Sequence, residues 1–208
     1  MKHLLLLGFM AMSSIACVAQ QERALPSPQF PADADRPLSQ VLKSRRSIRA
    51  YADKPIDDAT LSCLLWAACG VSEPATGKIT APSAVNRQDV RVYVCTAQGA
   101  YLYNAKQHSL SLVTNKDLRK ALAANQHFAA TAPMNLLLVS DTNKFPRRSM
   151  EYGCMDTGYV SQNIYLACTS MGLGTVARAQ MDIDILKKEL LLKEGEVPIL
   201  NHPVGYPK

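Results

Sequence analysis

Three short segments carry residue types suited to a flat, charged ligand. Arg45-Arg46-Ser47-Ile48-Arg49 gathers three guanidinium groups around one hydroxyl. A guanidinium is planar, forked and permanently charged, so it matches phosphate oxygens, and a serine hydroxyl adds one more donor. Such a basic run also serves as an ordinary solvated helix end, so its chemistry depends on what the fold brings beside it. Pro82-Ser83-Ala84-Val85-Asn86-Arg87-Gln88 is a loop of small and amide side chains. These groups can bond hydroxyls or the polar edge of a ring without adding charge, and alone they make an ordinary turn.

Gly172-Leu173-Gly174-Thr175-Val176-Ala177 has the letters of a dinucleotide-binding fingerprint. That motif needs a strand before its glycines and a helix after them, because the pyrophosphate sits at the following helix N-terminus. Here a long helical pattern precedes the glycines. The segment therefore reads as a helix-ending turn whose bare backbone can approach a flat ligand. No metal centre is expected, since His3, His108, His127 and His202 are scattered and no cysteine spacing suits zinc or haem. Cys63, Cys69, Cys95, Cys154 and Cys168 lie mostly in apolar periodic segments and are expected as free thiols.

The elements that must position these segments follow from periodicity. Leu38, Val41 and Leu42 recur at helical spacing and end at the basic cluster, and Ser47 to Lys54 reads as extended. Asp57 or Asp58 caps a helix over about 59–69, which Gly70 ends. Val90 to Cys95 alternates as a strand, followed by strand-like stretches at 100–103 and 109–113, a small antiparallel meander. A helix is expected over 117–124, a central buried strand at 134–140 and a long helix over 150–171. A last helix, 182–192, precedes a closing strand at 197–204. Helices and strands mix without strict alternation, so the fold class is α+β rather than doubly wound.

With 208 residues, 48% apolar and 19% charged, the chain has material for one sizeable core. Lys2 followed by an apolar run and small residues reads as a signal peptide over 1–19, cut after Ala19 and implying export to the periplasm. An alternative is a lipoprotein box at Ser14-Ile15-Ala16-Cys17, tethering the protein through Cys17. The proline-rich, polar segment 20–36 reads as an extended linker, leaving 37–208 as the folded domain with no transmembrane span. Removing Lys2 from a formal charge of +6 leaves +5. That balance suits an anionic ligand, and without an aromatic-and-basic platform it does not indicate nucleic acid.

The order of these motifs, from Arg-Arg-Ser through Pro-Ser-Ala-x-Asn and Gly-Leu-Gly-Thr to a closing Pro-Val-Gly-Tyr-Pro, resembles the nitroreductase family along nearly all of 37–208. Gly99-Ala100-Tyr101-Leu102-Tyr103 with His108-Ser109-Leu110 is similar to the branch containing thiazoline and oxazoline dehydrogenases. The resemblance implies an α+β homodimer with FMN in clefts at its interface, acting on a small organic substrate: a nitroaromatic, quinone or heterocycle. By that similarity Arg45, Arg46 and Ser47 would bind the FMN phosphate and ribityl chain, and Arg49 would lie near the pyrimidine edge. Pro82, Ser83, Ala84 and Asn86 would come from the partner subunit or line the ring. Gly172, Leu173, Gly174 and Thr175 would cover its other side, and Lys208 would add charge toward the phosphate.

No side chain is expected to carry the redox chemistry, which belongs to the flavin, with NAD(P)H as a possible electron donor. Tyr101 and Tyr103 are alternative proton donors or packing residues. The chain also ends at Lys208, whereas many relatives continue with further basic residues and a tail that embraces the partner. A non-catalytic flavin binder and an envelope interaction protein on the same scaffold are the competing functions.

Overall fold

The computed structural model describes residues 22–208 except 148. The N-terminal calls, namely the signal peptide over 1–19, cleavage after Ala19 and the Cys17 box, lie outside the described residues. From Glu22 onward the segment expected as a linker is part of the fold. Strand β1 (Glu22–Ala24) pairs antiparallel with β6 (Ser109–Thr114), and Leu25 and Ala34 are buried. Three residues of an edge strand, all exposed, give no alternation for a sequence reading to catch.

The strap is clasped from below by a cluster around His108. Ser62 Oγ donates to Pro26 O at 2.6 Å and lies 2.7 Å from His108 Nε2, while Tyr103 Oη is 2.8 Å from Nδ1. This spacing is that of a nucleophile, base and orienting group. Ser62 is nevertheless fully buried and already bonded to the strap, so the cluster holds structure. Tyr103 has the packing role, and burial raises its phenol well above the usual value.

Helix α1 (Leu38–Ser44) and helix α2 (Asp58–Cys69) follow. Asp57 caps α2, accepting the Thr60 N–H at 2.7 Å. Gly70 ends α2 in an extended conformation, and a side chain there would strike the Trp66 ring at 2.5 Å. A hairpin of β2 (Val71–Glu73) and β3 (Lys78–Ile79) stands where a plain loop was expected. The meander β4 (Val90–Thr96), β5 (Gly99–Asn104), β6 matches expectation. The helix expected over 117–124 is α3 (Arg119–Ala123), ended by Ala124 at φ 49°, and a further short helix, α4 (His127–Ala130), follows.

Strand β7 (Met134–Asp141) is buried over seven consecutive residues because it lies between β4 and β9 (Glu196–Gly205) with helices on both faces. The large sheet has the order β1-β6-β5-β4-β7-β9-β8, with β8 being Gly174–Thr175, and every ladder is antiparallel. Helix α2 and the long α5 (Ser149–Ser170) pack Leu64, Leu65, Val160 and Ile164 against one face. On the other face Leu122 of α3 and Leu186 of α6 (Ile183–Glu189) pack against Leu137 and Val139. Leu64, Leu65 and Ile164, fully buried, would each contribute roughly 1.5–3 kcal/mol by leaving water. The α+β class stands. Among the described residues no helix is long and apolar enough to cross a membrane.

Arg178 ties the second face together. Its guanidinium donates to Leu122 O at 2.8 Å, Ala123 O at 2.9 Å, Asn201 Oδ1 at 2.7 Å and Gln126 Oε1 at 2.7 Å. No carboxylate neutralises this buried cation among the described residues. It is held by carbonyls at the end of α3, where the peptide dipoles present their negative side.

Candidate functional site

The arginine segment and the glycine turn, far apart in sequence, meet at one edge of the sheet. Helix α1 ends at Ser44, so 45–49 leave it in extended conformation toward β8. The Ile48 N–H donates to Thr175 O at 2.9 Å. A Cβ placed on Gly174 would come within 2.7 Å of the Ile48 side chain, so only glycine permits this approach without displacement.

The turn itself is a Schellman cap. Gly172 has φ 69°, Leu173 N–H donates to Cys168 O at 2.7 Å and Gly172 N–H to Thr169 O at 3.4 Å. A helix precedes the glycines and a two-residue strand follows, the reverse of what a dinucleotide fingerprint needs.

Tyr165, which the sequence reading did not single out, joins the two segments. Its Oη accepts the Ala177 N–H at 2.9 Å and stands 3.0 Å from Ser47 Oγ, while the Arg45 guanidinium lies over its ring, 5.0 Å from the centroid. Beneath, the buried His202 lies 2.8 Å from Ser161 Oγ at Nε2 and 3.1 Å from Thr175 Oγ1 at Nδ1. Burial depresses its pKa to about 3, so it is a neutral bridge holding Thr175 in place. The C-terminus arrives at the same edge: Tyr51 pairs with Pro207, and the Lys208 N–H donates to Ala50 O at 3.2 Å.

Arg46, Ser47 and Arg49 are exposed, and Arg46 donates to Lys43 O and Arg45 O, each at 2.8 Å. Arg45, Arg46, Ser47 and Arg49 thus run beside Gly174, Thr175 and the Lys208 backbone at one edge of the sheet, a margin rich in cations. The chemistry of this donor set fits a phosphorylated flat ligand.

The loop of Pro82, Ser83, Ala84 and Asn86 is elsewhere in the subunit. The Ala84 N–H donates to both carboxylate oxygens of Asp156, at 3.0 and 2.9 Å. Asp156 lies nine residues before Tyr165 on α5, about 13 Å along the axis. Val85, 80% exposed, together with Asn86 and Gln88, adopts positive φ, so the loop projects a strained tip from the surface. Asp89 beneath it is buried, and its Oδ2 accepts from Ser140 Oγ. Burial first, then the nearby Asp156 carboxylate, pushes the Asp89 pKa up to about 7. Neither aspartate carried a signal in sequence, since an isolated Asp in a loop or helix reads as solvated.

Residues 42–206 match the sequence profile of the Nitroreductase family. A protein of Methanocaldococcus jannaschii named as a nitroreductase is 34% identical over 190 residues, covering 85% of this chain and 94% of the relative. One of Methanothermobacter thermautotrophicus, named as an NADH dehydrogenase/NAD(P)H nitroreductase, is 25% identical over 178 residues, covering 81% and 76%. The crystal structure of a Ralstonia eutropha protein named as a nitroreductase superposes with a TM-score of 0.83 at 32% identity, covering 92% of this chain and 91% of that one.

Proposed function

The chain belongs to the nitroreductase family and is a flavin-type oxidoreductase, and from this we propose that it is an FMN-dependent enzyme working as a homodimer on a small organic substrate. The observation that carries the reading is the meeting of Arg45–Arg49 with Gly174–Thr175 at one edge of the sheet, tied together by Tyr165. Arg45, Arg46 and Ser47, with charge from Lys208, hold the phosphate and ribityl end. Arg49 sits toward the pyrimidine edge, where a positive group favours the reduced, anionic ring.

Bound FMN supplies the hydride or electron-pair transfer; the protein supplies position and charge. The exposed loop carrying Pro82, Ser83, Ala84 and Asn86 reaches the partner's flavin rather than its own, in keeping with its distance along α5 from Tyr165. Exposed Leu38 and Leu42 on α1 and Met155 and Tyr159 on α5 are the apolar residues such a partner would cover. Nitroaromatics, quinones and small heterocycles are the substrate classes an open cleft over the ring admits. The name of the Methanothermobacter relative supports NADH or NADPH as donor. We place the protein in the periplasm, free or tethered through Cys17, on the strength of the N-terminal segment; export separates it from the cytoplasmic NAD(P)H pool.

Purified full-length protein should be yellow, release FMN on denaturation, and turn over a nitroaromatic or quinone after reduction by NADPH or dithionite. Arg46→Ala should lose FMN on dilution while keeping its melting temperature. Protein that stays colourless through refolding with FMN would sink the reading; flavin binding without turnover would leave a binding protein.

A further inference from the structure

A cavity of about 570 Å³ is lined by Asn86 but by none of the other residues assigned to the flavin. It arises from a split in the sheet. The β4–β5 ladder runs from Thr96↔Gly99 to Tyr93↔Leu102 and stops there. Val90, Arg91 and Val92 continue β4, still paired with β7, while Tyr103 and Asn104 continue β5, still paired with β6. Between them the strands part, and the cavity opens among these residues. Two strand edges therefore face the gap without each other as partners, presenting backbone donors and acceptors.

Four cationic side chains line the gap, Arg87, Arg91, Lys106 and Lys144, and no carboxylate residue does. Arg91 is neutralised by Glu196 at 2.6 Å and Asp141 at 3.3 Å. Lys144 Nζ donates to Gln88 O at 2.7 Å, an uncharged acceptor. Arg87, Lys106 and Lys144 have no ion-pair partner among the described residues. Clustered like charges repel one another, and an anion would relieve that repulsion. The remaining walls mix apolar residues, Ile79, Val92 and Leu102, with polar ones such as Gln88, Asn104 and Ser111. The volume falls within the range of small-molecule sites, about 300–1,000 Å³, and combines apolar walls with a few convergent polar groups.

The geometry points to a second ligand site in this gap, taking a small organic anion whose apolar body lies between the parted strands and whose carboxylate or phosphate meets Arg87, Lys106 and Lys144. The site lies within a single subunit and shares only Asn86 with the residues assigned to the flavin.

The test is an NMR titration of the full chain with 1-naphthoate, its uncharged counterpart 1-naphthamide, and inorganic phosphate. Naphthoate should shift the amides of Val90–Val92, Tyr103 and Asn104 saturably and bind at least tenfold more tightly than either other probe. Lys106→Ala and Arg87→Ala, both at exposed side chains, should each weaken it severalfold without altering the remaining spectrum. Equal binding of naphthamide would reduce the gap to an apolar crevice, and equal binding of phosphate would reduce it to a basic patch. Shifts confined to Ile48 and Thr175, or no saturation by 10 mM on the order of a weak-site limit, would likewise overturn the proposal.

Discussion

Ser47 Oγ and Tyr165 Oη, 118 residues apart, stand 3.0 Å from each other. Because Tyr165 Oη already accepts the Ala177 N–H, its own proton is free for Ser47, so one phenol ties the two segments together. Tyr165→Phe keeps the ring beneath Arg45 and removes only the hydroxyl. A lost hydrogen bond of about 1 kcal/mol should weaken FMN about fivefold. Quenching of flavin fluorescence on titration gives the dissociation constant; an unchanged value would mean the segments hold themselves.

Gly174→Ala puts a methyl against Ile48, at 2.7 Å before any relaxation. Overpacking of this kind costs about 1–3 kcal/mol and here pushes the arginine segment off β8. FMN retention should fall more than thermal stability does. Full flavin occupancy in the purified variant, measured by the ratio of 450 to 280 nm absorbance, would show that this close approach is not needed.

Asp89 titrates near 7 in the folded chain, above the usual carboxylate value, so the native state holds a proton that the unfolded chain has lost. Its contribution is complete below about pH 4 and is lost as the pH rises through about 7. His202, depressed to about 3, works in the opposite sense, its contribution fading as the pH falls from about 6.5 toward 3. Comparing Asp89→Asn with the parent isolates the first effect. The variant should melt relatively higher at pH 8 than at pH 5, and parallel melting curves across that span would refute a raised Asp89 carboxyl beneath the Pro82–Asn86 loop.

Replacing Arg178 by Ala strands the carbonyls of Leu122 and Ala123 and the side chain of Asn201. The expected loss is about 3 kcal/mol, roughly 6–10 °C in melting temperature for a domain of this size. A shift below 2 °C, on the order of experimental scatter for a surface change, would show that water replaces the guanidinium without penalty.

Much of this architecture could be read from residue order. Asp57 and Gly172 announce their caps because a carboxylate before an apolar helix and a glycine after one each solve a local hydrogen-bonding problem. The stretch 134–140 declares a buried strand by lacking any polar alternation before Ser140 apart from Asn135, whose amide N–H donates to Ala129 O. The strap at Glu22–Ala24 and the Asp89–Asp156 pair were illegible, since their partners lie 67 to 89 residues away and no local pattern marks them. Tyr165 was hidden for a similar reason: within an amphipathic helix a tyrosine looks like packing until its hydroxyl is placed. The arginine cluster and glycine turn were visible as segments, and their contact through Ile48 and Thr175 is what tertiary structure adds.

Strand order carries a consequence for how the enzyme presents itself. β1 and β8 are the two margins of the seven-stranded sheet, separated by six inter-strand steps of about 4.8 Å, or roughly 29 Å. Whatever precedes Glu22 leaves from the first margin, while Thr175 and its arginines occupy the last. A leash or anchor attached upstream would therefore hold the molecule by its far side and leave the opposite margin free to meet diffusing reactants.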